Sequence, residues 1–519
     1  MENIVIIDCG SQFTQLIARR VRELKTHSVV LPWDAPAERV KGLSPRGVII
    51  SGGPDSVNAP DAIAVDRGIL DAGVPVLGVC YGMQLMTKYL GGTVASGGSA
   101  EYGVTPVKVE VENPRLLKGL SGGQPRGASG TIRFNVLMSH GDHVAAVPEG
   151  FAVTAATDNG VIAGMEDPSR RFFGLQFHPE VAHTEHGMDI LRNFLFDICG
   201  CKGDWNLSDW VETTVAEIRE RVGDGRVVCG LSGGVDSSVA AALVNRAVGS
   251  QLECVFVDHG LMRLNEAEQV MASYKGMGLS VRHVDASELF LRELAGVTDP
   301  EKKRRTIGKL FIDVFDAEAA KIQNVGWLLQ GTIYPDVIES GKKKGAAVIK
   351  SHHNVGGLPE HMKLKLLEPL RDLFKDEVRE LGRLIGVPEA IVARQPFPGP
   401  GLAVRCLGEI TRERLDTLRE ADAIFREELQ RAGIYKDIWQ SFCVLLPVRT
   451  VGVMGDSRTY SEVVALRAIH SQDAMTAEWV HIPPEVLDVT AKRICNSVRG
   501  VNRVVLDVTS KPPATIEWE

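Results

Sequence analysis

Residues 227–248 read VVCGLSGGVDSSVAAALVNRAV, and this stretch decides the fold. It opens on the β-branched run of a buried strand. The Gly-rich loop Ser232-Gly233-Gly234-Val235-Asp236-Ser237-Ser238 follows. An Ala/Leu/Val-rich segment with helical character comes next, and Gly249 is placed to end it. Strand, glycine loop and helix N-terminus together make an anion site. Gly233 and Gly234 let the backbone approach a ligand, and the unpaired N–H groups and dipole of the first helical turn face negative charge. Ser232, Ser237 and Ser238 add hydroxyl donors. Asp236 would repel a bare phosphate, so its presence predicts a bridging Mg²⁺. No Gly-Lys-Ser/Thr follows at the spacing of a Walker A loop.

The loop resembles the SGGxDS pyrophosphate loop of N-type ATP pyrophosphatases. That resemblance implies cleavage of ATP to AMP and pyrophosphate while a substrate oxygen is adenylated. The rest of the chain fits a large globular enzyme. Its 519 residues suggest about three domains. Mean hydropathy is near zero and net charge is −8, which argues against nucleic acid as the main ligand. The nine cysteines are scattered and odd in number, so neither a disulfide framework nor a zinc site is indicated. The opening MENIVIIDCGSQ has no basic, cleavable leader, and no apolar run reaches the ~20 residues of a membrane helix. A cytoplasmic protein with no membrane partner is expected.

Towards the N-terminus, runs at Asn3–Ile7, Gly47–Ser51 and Val74–Val79 read as strands alternating with helical spacing, the pattern of a parallel α/β sheet. The last of them runs into Gly78-Val79-Cys80-Tyr81-Gly82, followed by helix. Glycines two positions either side of Cys80 allow a sharp strand-to-helix turn with a nucleophile at its tip. A helix N-terminus favours a thiolate, the reactive form. A strand ending at His178, in Phe172 to Glu180, places Glu180 on the same side two residues on. Glu180 can then hold one ring nitrogen of His178 and leave the other for the thiol proton. Gly53 and Tyr81 offer N–H groups to an oxyanion. His140, His143, His183 and His186 have no metal-ligand spacing and read as structural or solvated. GVCYGMQ, which contains Gln84, and FHPE resemble the two signatures of class I glutamine amidotransferases. The resemblance covers residues 1–198. It implies that Cys80, His178 and Glu180 hydrolyse glutamine through a γ-glutamyl thioester, with Gln84, Gly53 and Tyr81 at the glutamine and oxyanion site.

Beyond the pyrophosphate loop, a strand with a polar end is expected at Cys254–Gly260, a next strand ending in His283–Asp285, another at Trp327–Gly331, and a helix at Leu370–Leu384. Residues 300–308 concentrate cationic charge, and 341–345 (GKKKG) reads as a charged, mobile loop. GTIYPDVIES and KSHHNVGGLP resemble the GMP synthetase branch of the amidotransferases. So do MSHGD, PFPGPGLAVR, VGVMGDSRTY and the terminal KPPATIEWE. That branch adenylates XMP and lets ammonia displace AMP. The resemblance implies that Arg304, Asp336, Lys511 and Glu517 bind XMP and that Lys375, with Mg²⁺ on Asp236, meets the leaving pyrophosphate. It also implies a homodimer.

The expected fold is α/β. Two successive doubly wound parallel-sheet domains, 1–198 and 199–394, are followed by a small α+β domain, 395–519. In the last, Leu407–Arg431 reads as amphipathic helix, with strands at Phe442–Pro447 and Arg503–Thr509. A tRNA-modifying pyrophosphatase would share SGGVDSS, but the acidic balance and the fused glutaminase count against it. An inactive nucleotide-binding module is disfavoured by the intact Cys80, His178, Glu180 and Asp236.

Overall fold

The computed structural model describes residues 2–120, 132–340, 364–454, 457–471 and 476–519. The GKKKG segment and the KSHHNVGGLP motif lie outside the described residues, as do Gly455 and Asp456 of VGVMGDSRTY. The chain divides into two compact units, with the change at Trp210/Val211. Among the described residues no helix is long and apolar enough to cross a membrane.

The first unit is built on a nine-stranded mixed sheet. Its strands are β1 (Asn3–Asp8), β2 (His27–Pro32), β3 (Gly47–Ile50), β4 (Val76–Val79), β5 (Thr93–Val109), β6 (Arg133–Ala146), β7 (Ala152–Thr157), β8 (Ile162–Asp167) and β9 (Phe172–Leu175). The order is β2-β1-β3-β4-β9-β8-β7-β5-β6. The first five run parallel and the remainder are joined antiparallel. β1, β3 and β4 read as continuous apolar runs because both of their faces are covered, and Ile4–Ile7 and Val48–Ile50 are buried throughout. β9 is shorter than the expected strand. The Gln176 N–H donates to Ala163 at 2.9 Å and the His178 N–H to Leu137 at 3.2 Å, so the chain leaves its neighbour β4 at Leu175 and turns across β8 toward β6.

The second unit contains a parallel sheet in the order β12-β11-β10-β13-β14. These strands are β10 (Arg226–Leu231), β11 (Leu252–Asp258), β12 (Val281–Asp285), β13 (Val325–Leu329) and β14 (Lys365–Leu367). The strand that opens the diagnostic stretch lies at its centre. The chain passes from β10 outward to β11 and β12, then returns on the other side as β13. The order therefore reverses between β10 and β13, and at such a point the carboxyl ends of the strands open a ligand crevice.

The C-terminal sheet pairs β15 (Gln440–Met454) with β16 (Ser457–His470), and β16 in turn with β17 (Glu478–Trp479) and, in parallel, β18 (Val501–Leu506). One apolar cluster joins Val228, Val255, Phe290 and Phe315 to Leu418, Phe425, Leu445 and Val464, so residues either side of 395 share a core.

Two helices begin later than their apolar periodicity predicts. The helix expected from Leu370 starts at Lys375, because the Leu373 carbonyl takes the Tyr334 N–H at 3.0 Å and Glu377 caps the Phe374 N–H at 2.9 Å. The helix expected from Leu407 starts at Arg412. Thr411 caps it by accepting from the Arg414 N–H, while the Leu407 N–H is drawn to Leu445 of β15 at 3.0 Å.

Candidate active sites

The turn between β4 and the helix Tyr81–Tyr89 is as tight as its glycines suggest. A Cβ on Gly78 would stand 2.6 Å from the Gly82 carbonyl, and one on Gly82 would stand 2.2 Å from the Ile50 carbonyl oxygen. Cys80 takes φ 51° at the tip, a left-handed conformation that strains a residue with a side chain. The surroundings impose it: the Cys80 N–H is tied to Leu175 at 2.7 Å and the Gly82 N–H to Ser51 at 3.1 Å.

His178 and Glu180 arrive on the segment that leaves β9. Nδ1 of His178 lies 2.7 Å from Oε1 of Glu180, and both residues are buried. Thr184 donates to the His178 carbonyl at 2.6 Å, Arg20 donates to the Glu180 carbonyl at 3.0 Å, and the Phe13 ring lies edge-on to the imidazole at 5.0 Å. Burial alone would lower the His178 pKa. The Glu180 carboxylate and the hydrogen-bonded Cys80 outweigh it and push the pKa up to about 10. The imidazole is thus a strong proton acceptor beside the Cys80 sulfur.

Gly52 and Gly53 close the other side. A Cβ on Gly52 would lie 3.1 Å from the His178 ring, and one on Gly53 would lie 2.8 Å from the Cys9 carbonyl and 3.1 Å from the Tyr81 ring. Gly53 therefore sits against the start of the Cys80 helix. The Tyr81 hydroxyl donates away from the sulfur, to Ile63 at 2.6 Å, so what Tyr81 can offer a substrate is its backbone. Gln84 is buried and donates to the Asp142 carbonyl at 2.8 Å and to Oε1 of Gln176 at 3.2 Å.

In the second unit the 232–238 loop joins β10 to the helix Val235–Val248. Gly233 has φ 74° and donates shape rather than contacts, while its carbonyl receives Arg394 at 2.6 Å. Ser232 and Ser237 face each other with hydroxyl oxygens 3.2 Å apart at the loop mouth. Ser238 departs from the expectation of a third ligand donor. It is fully buried, donates to the Gly234 carbonyl at 2.7 Å and meets the Tyr274 hydroxyl at 3.0 Å, because its place on the helix points it into the core. Lys375 stands on Asp236, 2.7 and 2.6 Å from the two carboxylate oxygens. Gly331, just past β13, packs on the same helical turn: a Cβ there would come 2.8 Å from the Ser237 nitrogen.

The four residues assigned to XMP are placed unequally. Arg304 donates to the Glu519 backbone carbonyl, beside a buried Lys303 that is paired with the Glu519 side chain. Glu517 receives Arg405 on both oxygens, at 3.0 and 2.8 Å, and Gln440 at 3.0 Å. Lys511 pairs through its backbone with Ala477 and lines a cavity of about 630 Å³ with His470, Ser471 and Glu478. Asp336 accepts the Ile333 N–H at 3.1 Å and so shapes its own helix start.

Comparison with known families follows the same division. Residues 5–198 match the class-I glutamine amidotransferase family, 206–301 the NAD synthase family and 427–518 the GMP synthase C terminal domain. Proteins named GMP synthase (glutamine-hydrolyzing) are similar along the whole chain. The one from Phenylobacterium zucineum is 56% identical, covering 100% of this chain and 99% of its own. That from Heliobacterium modesticaldum is 55% identical over 100% and 99%, and that from Paraburkholderia phytofirmans 56% over 100% of both. The chain belongs to the glutamine-hydrolysing GMP synthase family.

Family membership raises the question of Mg²⁺, which travels with ATP. The donor set around the loop fits an ion that draws most of its oxygens from nucleotide and water. Asp236 supplies one partly exposed carboxylate, and among the described residues no cluster of three His, Cys, Asp or Glu could cage a metal alone. Several residues at these sites carry little or no signal in the sequence that marks them. Gln176 lies in the strand expected before FHPE, just outside that signature, and had no pattern of its own. Gly331 had a signal, a glycine closing an apolar strand. Arg20, Arg394 and Gln440 had none, since each reaches its site from a distant part of the chain.

Proposed function

We propose that the chain divides its chemistry between Cys80 and the 232–238 loop. Glutamine is hydrolysed at the first, and XMP is adenylated and aminated at the second. Cys80 attacks the glutamine carboxamide and passes its proton to Nε2 of His178, since Nδ1 is occupied by Glu180. The N–H groups of Gly53 and Tyr81 take the oxyanion. Gln84 spends its amide donors on Asp142 and Gln176, so it turns a carbonyl oxygen to the substrate. His178 returns the proton to the departing ammonia and then deprotonates the water that cleaves the thioester.

At the second site the C2 oxygen of XMP attacks the α-phosphorus of ATP. Pyrophosphate leaves toward the loop N–H groups from Gly233 to Ser237 and the hydroxyls of Ser232 and Ser237, the Ser238 N–H being engaged by the Gly234 carbonyl. Mg²⁺ bound with ATP would be held by Asp236 and phosphate oxygens and would supply positive charge against that leaving group. The Lys375–Asp236 pair is partly exposed and held weakly enough to open, freeing Lys375 for a phosphate oxygen. XMP is assigned to Arg304, Asp336, Lys511 and Glu517, and ammonia displaces AMP from its adenylated form. Functionally the chain is 1–198 glutaminase, 199–394 adenylating segment and 395–519 XMP-binding and dimerising segment.

A cytoplasmic homodimer is the working form, with no nucleic-acid or membrane partner. Its support is the exposed apolar edge of the β15–β16 hairpin, where Val451 lies opposite Tyr460 and Val453 follows on the same face. The observation that carries the reading is the full-length similarity to GMP synthases, together with a triad and a pyrophosphate loop in one chain. It is tested by supplying ATP, Mg²⁺, XMP and glutamine and following XMP to GMP by mass, with AMP and pyrophosphate quantified. Production of AMP without GMP would overturn it.

A further inference from the structure

The sulfur of Cys80 has more than one polar neighbour. Besides His178, it lies 3.7 Å from the Ser139 carbonyl oxygen and 3.6 Å from Nε2 of Gln176. These two contacts have opposite sense. A carbonyl oxygen accepts the S–H of a thiol, whereas an amide N–H donates to sulfur and bonds far better to a thiolate than to a thiol or a thioester. Gln176 is fully buried, and its orientation is fixed from behind. Its Oε1 receives Gln84, whose amide also donates to the Asp142 carbonyl. The only arrangement that satisfies this chain turns the Gln176 NH₂ toward the sulfur.

We propose that Gln176 is a catalytic donor to Cys80, stabilising the negative charge that develops on the sulfur as its proton passes to His178 and again when the sulfur leaves in hydrolysis of the thioester. This rests on the reading of Cys80 as the glutaminase nucleophile. In the second half-reaction water adds to the thioester carbonyl and gives its proton to His178. The carbon–sulfur bond then breaks, and its electron pair returns to the sulfur. The hydrogen bond from the Gln176 N–H to the sulfur strengthens as that charge arrives. His178, backed by Glu180, is the titratable group hydrogen-bonded to Cys80, and Gln176 itself is uncharged over the working range. Replacing it therefore changes the sulfur's environment without adding a titration of its own, except where a carboxylate is introduced on purpose.

The test uses full-length Gln176→Met, which keeps the volume and loses the donor, and Gln176→Glu, which replaces it with an acceptor. Alkylation of Cys80 by iodoacetamide is followed against pH by mass of the Cys80 peptide, with Cys80→Ala as the blank. The midpoint should move up by about one pH unit in Gln176→Met, a loss of about tenfold in reactive sulfur below it, and further in Gln176→Glu. Glutaminase kcat should fall by at least the same factor with little change in glutamine KM, which reports an intact glutamine pocket, while synthesis from ammonium salt stays at the parental rate. Alkylation profiles that superimpose on the parent in both variants would overturn the proposal. Glutaminase activity that survives in Cys80→Ala would instead overturn the nucleophile reading beneath it.

Discussion

The two sites use the same local device, a strand that turns sharply into a helix, for different ends. At Cys80 the residue with positive φ is the proposed nucleophile itself, and the glycines beside it exist so that backbones can touch. At 232–238 the residue with positive φ is a glycine, and what the turn presents is backbone N–H groups. The first site is buried and complete, with Cys80, His178 and Glu180 almost wholly shielded. The second is open, and its charged pair, Asp236 with Lys375, is 28% and 41% exposed. Covalent chemistry on a neutral amide needs a fixed side chain in a dry setting. Binding a polyphosphate needs a cradle that the ligand and its metal finish.

Cys80→Ala gives the largest effect expected from this contrast. It should cut glutamine-dependent synthesis on the order of 10⁴-fold or more and leave ammonium-dependent synthesis intact, both read as GMP formed. Loss of both activities with the fold preserved would dissolve the distinction between a self-contained site and a ligand-completed one.

Asp236→Asn should act on the other side of it. Synthesis from either nitrogen source should fall by about 100-fold or more, because pyrophosphate departure is common to both. Hydrolysis of glutamine should persist. Adenylation at the parental rate, read as AMP from ATP and XMP, would remove Asp236 from the site.

A smaller change is expected from Lys511→Ala, which should raise the XMP KM by about tenfold, the worth of one charged contact, with kcat nearly unchanged. Deleting residues 511–519 is the harsher variant and tests something else. It strips Arg405 and Lys303, both fully buried, of the carboxylates of Glu517 and Glu519. A buried charge left unpaired is strongly destabilising, so the deletion should lower the unfolding midpoint as well as XMP binding. An unchanged XMP KM in Lys511→Ala would place the phosphate elsewhere.

The smallest effect is one of stability with pH. His178 is held near 10, above the ordinary 6.5, so its contribution is complete below about pH 6.5 and is lost as pH rises through about 10. Glu180→Gln removes its strongest raising partner. The denaturant midpoint should therefore drop most near pH 6, with the gap to the parent narrowing toward pH 10. A gap that widens with pH would mean that the pair is not ionic.

How much of this was legible in advance varies with the range of the interaction. SGGVDSS and GVCYGMQ were readable because strand, turn and helix are contiguous, and the glycines report a local steric need. Ser238 and the helix starts at Lys375 and Arg412 were misjudged because a hydrogen bond to a distant residue decided them: Tyr274, Tyr334 and Leu445 respectively. The tail is the clearest case. Its composition suggests a solvated end, and a strand at Arg503–Thr509 was expected to hold it. That strand is present, shifted to Val501–Leu506 and paired with β16, and the residues beyond it are held by Arg467, which donates to Ile516 at 2.8 Å and Thr515 at 2.9 Å, and by Arg405 on Glu517.

The sequence by itself determined the family, the α/β class and the two reactive turns, because each is written in adjacent residues whose geometry is nearly independent of the rest. Only the tertiary structure decided which polar groups face the reaction and which serve the scaffold. Gln176 reaches Cys80 and Lys375 reaches Asp236 across 96 and 139 positions of chain. Nothing periodic or local in the sequence records a pairing that exists only after the sheets have brought those segments together.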